Sequence, residues 1–81
     1  MIIYVYVLQS YKDCNFYIGI TENLEDRVKR HNSGRVQSTR GRAPFKVVFS
    51  EEYPDYEEAR KREKFFKSGQ GRLFLRKFLK L

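Results

Sequence analysis

The chain has little of what a disulfide-stapled, zinc-bound or membrane-spanning domain needs. Cys14 is the single cysteine among 81 residues. It has no internal disulfide partner, and no Cys/His cluster exists to hold zinc. Cys14 reads as a small residue near a turn. No apolar run approaches the length of a bilayer span. The opening MIIYVYVLQS has no basic region ahead of its apolar run and no small-residue cleavage site, so it reads as a strand and not a secretion signal. The expected location is cytoplasmic. Internal repeats, low-complexity segments and linkers are absent from the pattern as well. Acidic residues are scarce: 10 Asp and Glu against 17 Lys and Arg give a formal charge of +7 and a pI near 9.8.

A chain of this length is expected to be one domain, residues 1–81. So small a domain buries a modest fraction of its surface. Seven Phe and six Tyr compensate, since each carries a large apolar area. The excess of positive charge points to a polyanionic partner, and nucleic acid is the default. The C-terminal FLRKFLKL is basic and amphipathic but short, and its apolar face is expected on the core and not on a membrane.

The spacing predicts the element order ββαβαα. IIYVYVLQS and FYIGIT read as strands joined by the turn YKDCN, hence an antiparallel hairpin. Pairing Tyr6 with Tyr17 sorts both strands at once, apolar residues on one face and the tyrosines on the other. Gly19 leaves the tyrosine face open to close approach. Thr21 or Asn23 caps a first helix within NLEDRVKRHNSG, which Gly34 ends. A basic loop, RVQSTRGRAP, precedes a third strand, FKVVFSEEY, with Phe45, Val47 and Phe49 alternating. Asp55 and Glu58 form a capping box for YEEARKREKFFKSG, whose inward face is expected to hold Tyr56, Ala59, Glu63 and Phe66. GRLFLRKFLKL forms a last helix packing through Phe74, Leu75, Phe78 and Leu79. The fold class is α+β, a small three-stranded antiparallel sheet with packed helices.

Three polar features break this apolar pattern. Leu24, Arg27, Val28 and His31 share one helix face, so a cation and an imidazole stand where apolar residues should continue. Glu63 occupies an apolar slot on the second helix. Tyr6 and Tyr17 share a sheet face. Each feature alone suits a structural role. An Arg27–Glu63 ion pair would explain Arg27, but not His31 or the tyrosine pair.

The Tyr4-Val5-Tyr6 triplet, then Tyr17-Ile18-Gly19, then Arg27 and His31, then Glu63, resembles the GIY-YIG nuclease domain over nearly the whole chain. The likeness is greatest to small stand-alone members similar to the nuclease domain of the bacterial excision-repair incision subunit, whose loop and helix STRGRAP and EARKREKFFKSG resemble. Tyr4 and Val5 stand where the family name has Gly and Ile, while Tyr6 is kept. The resemblance implies a DNA endonuclease. Glu63 would hold one Mg²⁺ (or Mn²⁺), whose other positions are filled by water and substrate oxygens. Arg27 would hold the scissile phosphate. A tyrosine would activate water, Tyr17 as first choice and Tyr6 as second, with His31 accepting the phenol proton. With an unperturbed pKa near ~10, about one phenol in a thousand is ionised at pH 7, so a neighbouring positive charge is required.

The loop from Arg35 to Arg42, with Thr39 and Arg40, and then Lys67 and Arg72, would contact backbone phosphates of DNA without reading bases; RNA is an open alternative. Weak, salt-sensitive binding directed by DNA structure is the expectation. Two other classes remain: a nucleic-acid-binding module without turnover, and a protein-interaction domain built on the aromatics.

Overall fold

The computed structural model describes residues 1–80. Strand β1 (Ile3–Ser10) and strand β2 (Phe16–Thr21) form the expected hairpin. Helix α1 (Leu24–Asn32), a short 3-10 turn at Arg40–Arg42, strand β3 (Phe45–Tyr53), helix α2 (Tyr56–Lys67) and helix α3 (Gly69–Leu79) follow. The sheet order is β2-β1-β3, antiparallel throughout. The fold is α+β with the element order ββαβαα.

The central strand β1 is buried on both faces, and the two faces have different chemistry. Ile3, Val5 and Val7 pack against Ala59, Phe66 and Leu75 of α2 and α3, with Phe49, Phe65 and Phe74 around them. Tyr6 and Leu8 face the other way and pack with Phe45, Tyr17, Leu24 and Val28 beneath α1. Period-two alternation places consecutive β1 residues in opposite cores.

The hairpin register differs by two residues from the Tyr6–Tyr17 pairing. Tyr6 lies opposite Gly19, Leu8 opposite Tyr17 and Val7 opposite Ile18. A two-residue slip preserves the face of every side chain. The physical reason is visible at Gly19, where a Cβ would lie 2.5 Å from the Tyr6 Oη and 2.7 Å from its Cζ. The Tyr6 ring therefore fills the space that the missing side chain leaves, and is itself the group that makes the close approach.

The alternation expected along β3 is broken between the pairs Val7–Phe49 and Leu8–Val47. Val48 is the extra residue of a bulge, which reverses the faces beyond it. Phe45 joins the α1 side and Phe49 the α2/α3 side, while Val47 is exposed.

Local capping explains the helix starts. The Asn23 side chain accepts from the Asp26 amide at 3.0 Å and the Asp55 side chain from the Glu58 amide at 2.9 Å. Glu58 itself reaches Lys61, at 3.4 Å, so the capping box is half made. Gly34 takes φ +78° after α1, as expected. Asn32 anchors α1 to β3, accepting from the Phe45 amide at 2.6 Å and donating to its carbonyl at 3.2 Å.

Ser68 separates α2 from α3. Its hydroxyl donates to the Phe65 carbonyl at 2.5 Å and accepts from the Gly71 amide at 3.2 Å. The junction is tight enough that a Cβ on Gly71 would collide with the Phe65 carbonyl. Arg62 clamps α2 to β3 through Glu51 at 2.8 and 3.3 Å and lies over the rings of Phe65, Phe66 and Phe74. Tyr56 is exposed and not inward-facing; Phe78 is partly exposed too, but its ring meets Phe49 at 5.0 Å between centroids and so packs on the body as expected. Tyr56 stands at the start of α2 beneath the Arg60 guanidinium, and Phe78 stacks on Phe74 near the end of α3. The last residue of the expected third helix, Leu81, lies outside the described residues.

Candidate active site

The β1–β2 hairpin and α1 bring Tyr6, Tyr17, Arg27 and His31 together. Tyr6 is 1% exposed and His31 fully buried. The Tyr6 hydroxyl lies 3.2 Å from His31 Nε2, and the other ring nitrogen, Nδ1, lies 2.8 Å from the Thr39 hydroxyl. Thr39 Oγ1 also directs its own proton towards the Val36 carbonyl at 3.4 Å. This arrangement places the imidazole proton on Nδ1, donated to Thr39, and leaves Nε2 to accept from Tyr6. The Tyr17 ring is centred 4.7 Å from the imidazole and 6.4 Å from the Tyr6 ring.

Arg27 carries the strongest sign of function. Its Nε is buried and has no hydrogen-bond partner. An orphaned buried donor costs about 1–3 kcal/mol, and folding tolerates that where a ligand supplies the acceptor. The guanidinium stands beside both phenols, and contact with Tyr6 above all raises its pKa. No ion pair joins it to Glu63, so the structural explanation for Arg27 fails among the described residues.

The titration behaviour follows from this layout. Burial, aided by the Arg27 charge, lowers the His31 pKa to about 4. The imidazole is therefore neutral at pH 7, a proton acceptor and not a cation. Burial also raises the Tyr6 pKa, with Arg27 opposing and the charges of Tyr17 and Glu63 adding. Glu63 is thus close enough for its charge to act on the Tyr6 phenol. It is mostly buried, its side chain 21% exposed, and pairs with Lys67 at 3.1 Å.

Glu63 is the carboxylate through which this site could hold a metal. No group of three or more His, Cys, Asp or Glu side chains is clustered for an ion among the described residues. A single carboxylate fits Mg²⁺, which keeps several waters and takes substrate oxygens as further ligands. It does not fit zinc.

The phosphate contacts expected from the basic segments separate into three groups. Arg42, Lys67 and Arg72 line one groove with Tyr17, and Arg76 joins them. Arg35 and Arg40 are exposed elsewhere on the loop. Thr39 is fully buried and cannot meet a phosphate backbone; its hydroxyl is spent on His31. Arg76 follows Arg72 by four residues, a helical spacing that could have identified it. Nothing local in the sequence marks Thr39 as a partner of His31.

A family model described as the GIY-YIG catalytic domain matches residues 2–76. The chain belongs to the GIY-YIG family. It is 46% identical over 65 residues to a UPF0213 protein of Clostridium perfringens, a match spanning 79% of this chain and 69% of that protein. It is 44% identical over 57 residues to a UPF0213 protein of Halalkalibacterium halodurans, spanning 69% of this chain and 60% of that one. The solution NMR structure of a UPF0213 protein from Bacillus halodurans superposes with a TM-score of 0.59 at 36% identity, covering 96% of this chain and 85% of that one. The triplet departures at Tyr4 and Val5 therefore occur within a GIY-YIG domain. The core position of Val5, fully buried against α2 and α3, requires an apolar side chain that Ile would equally supply.

Proposed function

We propose that this GIY-YIG protein is a metal-dependent endonuclease that hydrolyses DNA phosphodiester bonds and selects its target by DNA structure, in DNA repair or processing. The observation that carries the reading is the unpartnered Arg27 Nε beside two tyrosines and a neutral histidine. A phosphate oxygen is the acceptor such a donor lacks, and a fixed guanidinium stabilises charge that builds on phosphorus-bound oxygens during attack.

The two tyrosines meet different requirements of a general base. Tyr17 is half-buried and lines the open groove, so a nucleophilic water can reach its phenol. Tyr6 is buried, and its hydroxyl is hydrogen-bonded to the one nearby group with a free lone pair, His31 Nε2. We assign Tyr17 to the attacking water: as its oxygen takes the water proton, its own phenol proton passes to His31 Nε2, whose ring is centred 4.7 Å from the Tyr17 ring and which the Tyr6 hydroxyl releases, so the imidazole ends protonated. The Arg27 charge disfavours protonated His31. A bound phosphate would offset that charge and raise the proton affinity of the imidazole, linking substrate arrival to base strength. Glu63 would hold Mg²⁺ (or Mn²⁺), which supplies charge neutralisation at the phosphate and leaving oxygen. Lys67 holds only the Oε2 of Glu63, so the other oxygen is available to a metal, and loss of the pair would cost little because the lysine is largely exposed.

The test is purified protein with Mg²⁺ and a panel of nicked, branched, single-stranded and blunt duplex DNA. Cleavage by the wild-type protein that is lost in Glu63→Ala supports the assignment; equal cleavage by both overturns it. The Glu63–Lys67 ion pair favours a second reading, a DNA-binding module without turnover. That reading holds where DNA binds with an affinity insensitive to Mg²⁺ and no substrate is cut.

A further inference from the structure

A groove of about 970 Å³ runs along the outer edge of β2, between the β1–β2 turn and the α2–α3 junction. Its walls combine Phe16 and Tyr17 with Arg42, Lys67, Arg72 and Arg76. Two of these cations are held internally, Arg42 by Asp13 at 3.0 Å and Lys67 by Glu63 at 3.1 Å. Among the described residues, the Arg72 and Arg76 guanidinium groups have no hydrogen-bond or ion-pair partner. They stand one helical turn apart on α3, so they present two positive charges along one line.

We propose that this groove holds single-stranded DNA flanking the scissile phosphate, with the backbone on Arg72 and Arg76 and bases against Phe16 and Tyr17. The inference rests on the nucleic-acid substrate proposed above and adds which form of it enters, by which path. Three observations support it. Interleaved cations and aromatic rings form the surface that binds single strands without sequence preference. The volume is that of a drug-sized ligand site, about 300–1,000 Å³, room for a few nucleotides of one strand. The groove reaches Tyr17, so a strand lying in it comes to the residue assigned to the attacking water.

Two polar groups on the groove wall are already satisfied within the chain. Discrimination of RNA depends on side chains that recognise the 2′-hydroxyl. Here the Gln9 amide donates to the Cys14 carbonyl at 3.1 Å, and the Asp13 carboxylate is held by Arg42 and the Asn15 amide. A DNA strand therefore leaves neither of these groups unsatisfied.

Cys14, exposed on the groove wall and the single cysteine of the chain, provides the readout. The experiment titrates thymidine oligonucleotide, uridine oligonucleotide and blunt DNA duplex of equal length into the protein in EDTA, following affinity against salt and the rate of Cys14 alkylation by a maleimide. The thymidine strand is expected to bind best and to slow alkylation, whereas the duplex leaves the rate unchanged. Arg72→Glu with Arg76→Glu should weaken single-strand binding at least about tenfold and flatten the log–log salt slope by about 1.4, since each single-strand phosphate contact contributes ~0.7. Duplex protecting Cys14 as well as the single strand overturns the proposal, as does tighter binding of the uridine strand or an unchanged salt slope in the double variant. Cleavage is scored separately with Mg²⁺. Protection of Cys14 without cleavage of any substrate retains the groove and removes the nuclease; cleavage without protection does the reverse.

Discussion

The two faces of β1 use one strand for opposite purposes. On the α2/α3 side, Ile3, Val5 and Val7 meet Ala59, Phe66 and Leu75, with a ring of phenylalanines around them. On the α1 side, the same strand presents Tyr6 to a buried histidine, itself held by a buried threonine, and to an arginine with an orphaned nitrogen. The first face gains stability by excluding polar groups. The second contains polar groups that would not be chosen for stability, because each needs a partner and one lacks it. The packing rules lapse where the proposed site lies, and the mainly apolar face, whose Arg62 is paired with Glu51, supports that departure.

Truncating each face should therefore have opposite consequences. Phe66 is fully buried and touches the rings of Phe49, Phe65 and Phe74. Phe66→Ala is expected to lower unfolding free energy by about 3–5 kcal/mol, the usual range for a buried phenylalanine, as a reduced urea midpoint. Binding of a phosphate-bearing ligand at the other face should survive at temperatures where the variant remains folded. Arg27→Met should do the reverse. Relief of the orphaned donor offsets the loss of the guanidinium's contacts with Tyr6 and Tyr17, so stability changes little, while cleavage falls about 10²–10³-fold or more, the effect of deleting one preorganised charge-stabilising donor. A large loss of stability in Arg27→Met would mean that Arg27 is part of the packing after all, and the contrast between the faces would fail.

The stabilising face was easier to read from sequence than the functional one. Strand and helix periodicity, the asparagine and aspartate caps and the glycine after α1 follow from local chemistry, so the element order emerges directly. Facing errors arose where tertiary geometry intervenes: the bulge at Val48 separates Phe45 from Phe49, and Tyr56 sits at a helix start where the core has run out. Arg27 and His31 were visible as interruptions at helical spacing. The link from His31 to Thr39 was not, because Thr39 stands eight positions further on, beyond the end of α1, and their contact is made only when that loop folds back. The Tyr6–Gly19 pairing was likewise hidden, since the two-residue alternatives leave the same faces buried.

His31 makes the contrast pH-dependent. Its folded pKa is about 4, below the ordinary value of 6.5. The unfolded chain therefore binds this proton more readily, and stability falls as pH drops from about 6.5 towards 4, with the full contribution present above that range. At about 1.4 kcal/mol per unit, the loss reaches about 3 kcal/mol. Carboxylates titrate in the same region, so the informative quantity is a difference. Urea midpoints of wild type and His31→Gln, measured at pH 7.5 and 4.5, should converge at the lower pH. Parallel acid losses would show that His31 is not held neutral by burial.

The smallest expected effect isolates the seam between hairpin strands. A Cβ on Gly19 would press on the Tyr6 phenol, whose hydroxyl is fixed by His31 and whose ring is buried. Gly19→Ala is expected to cost about 1–3 kcal/mol through overpacking and to displace that hydroxyl from the imidazole. The closest contact, at 2.5 Å, is with the oxygen itself. Tyr6→Phe removes that atom, so Gly19→Ala should be milder in the Tyr6→Phe background, with a coupling of about 1 kcal/mol in a double-mutant cycle. Additive energies would place the clash on the ring or backbone instead, and would leave the glycine as a strand-pairing feature with no part in seating the phenol. A measured coupling, with single-turnover cleavage lowered in Gly19→Ala even under conditions where the variant is fully folded, would show that the missing side chain serves the catalytic face and not the sheet.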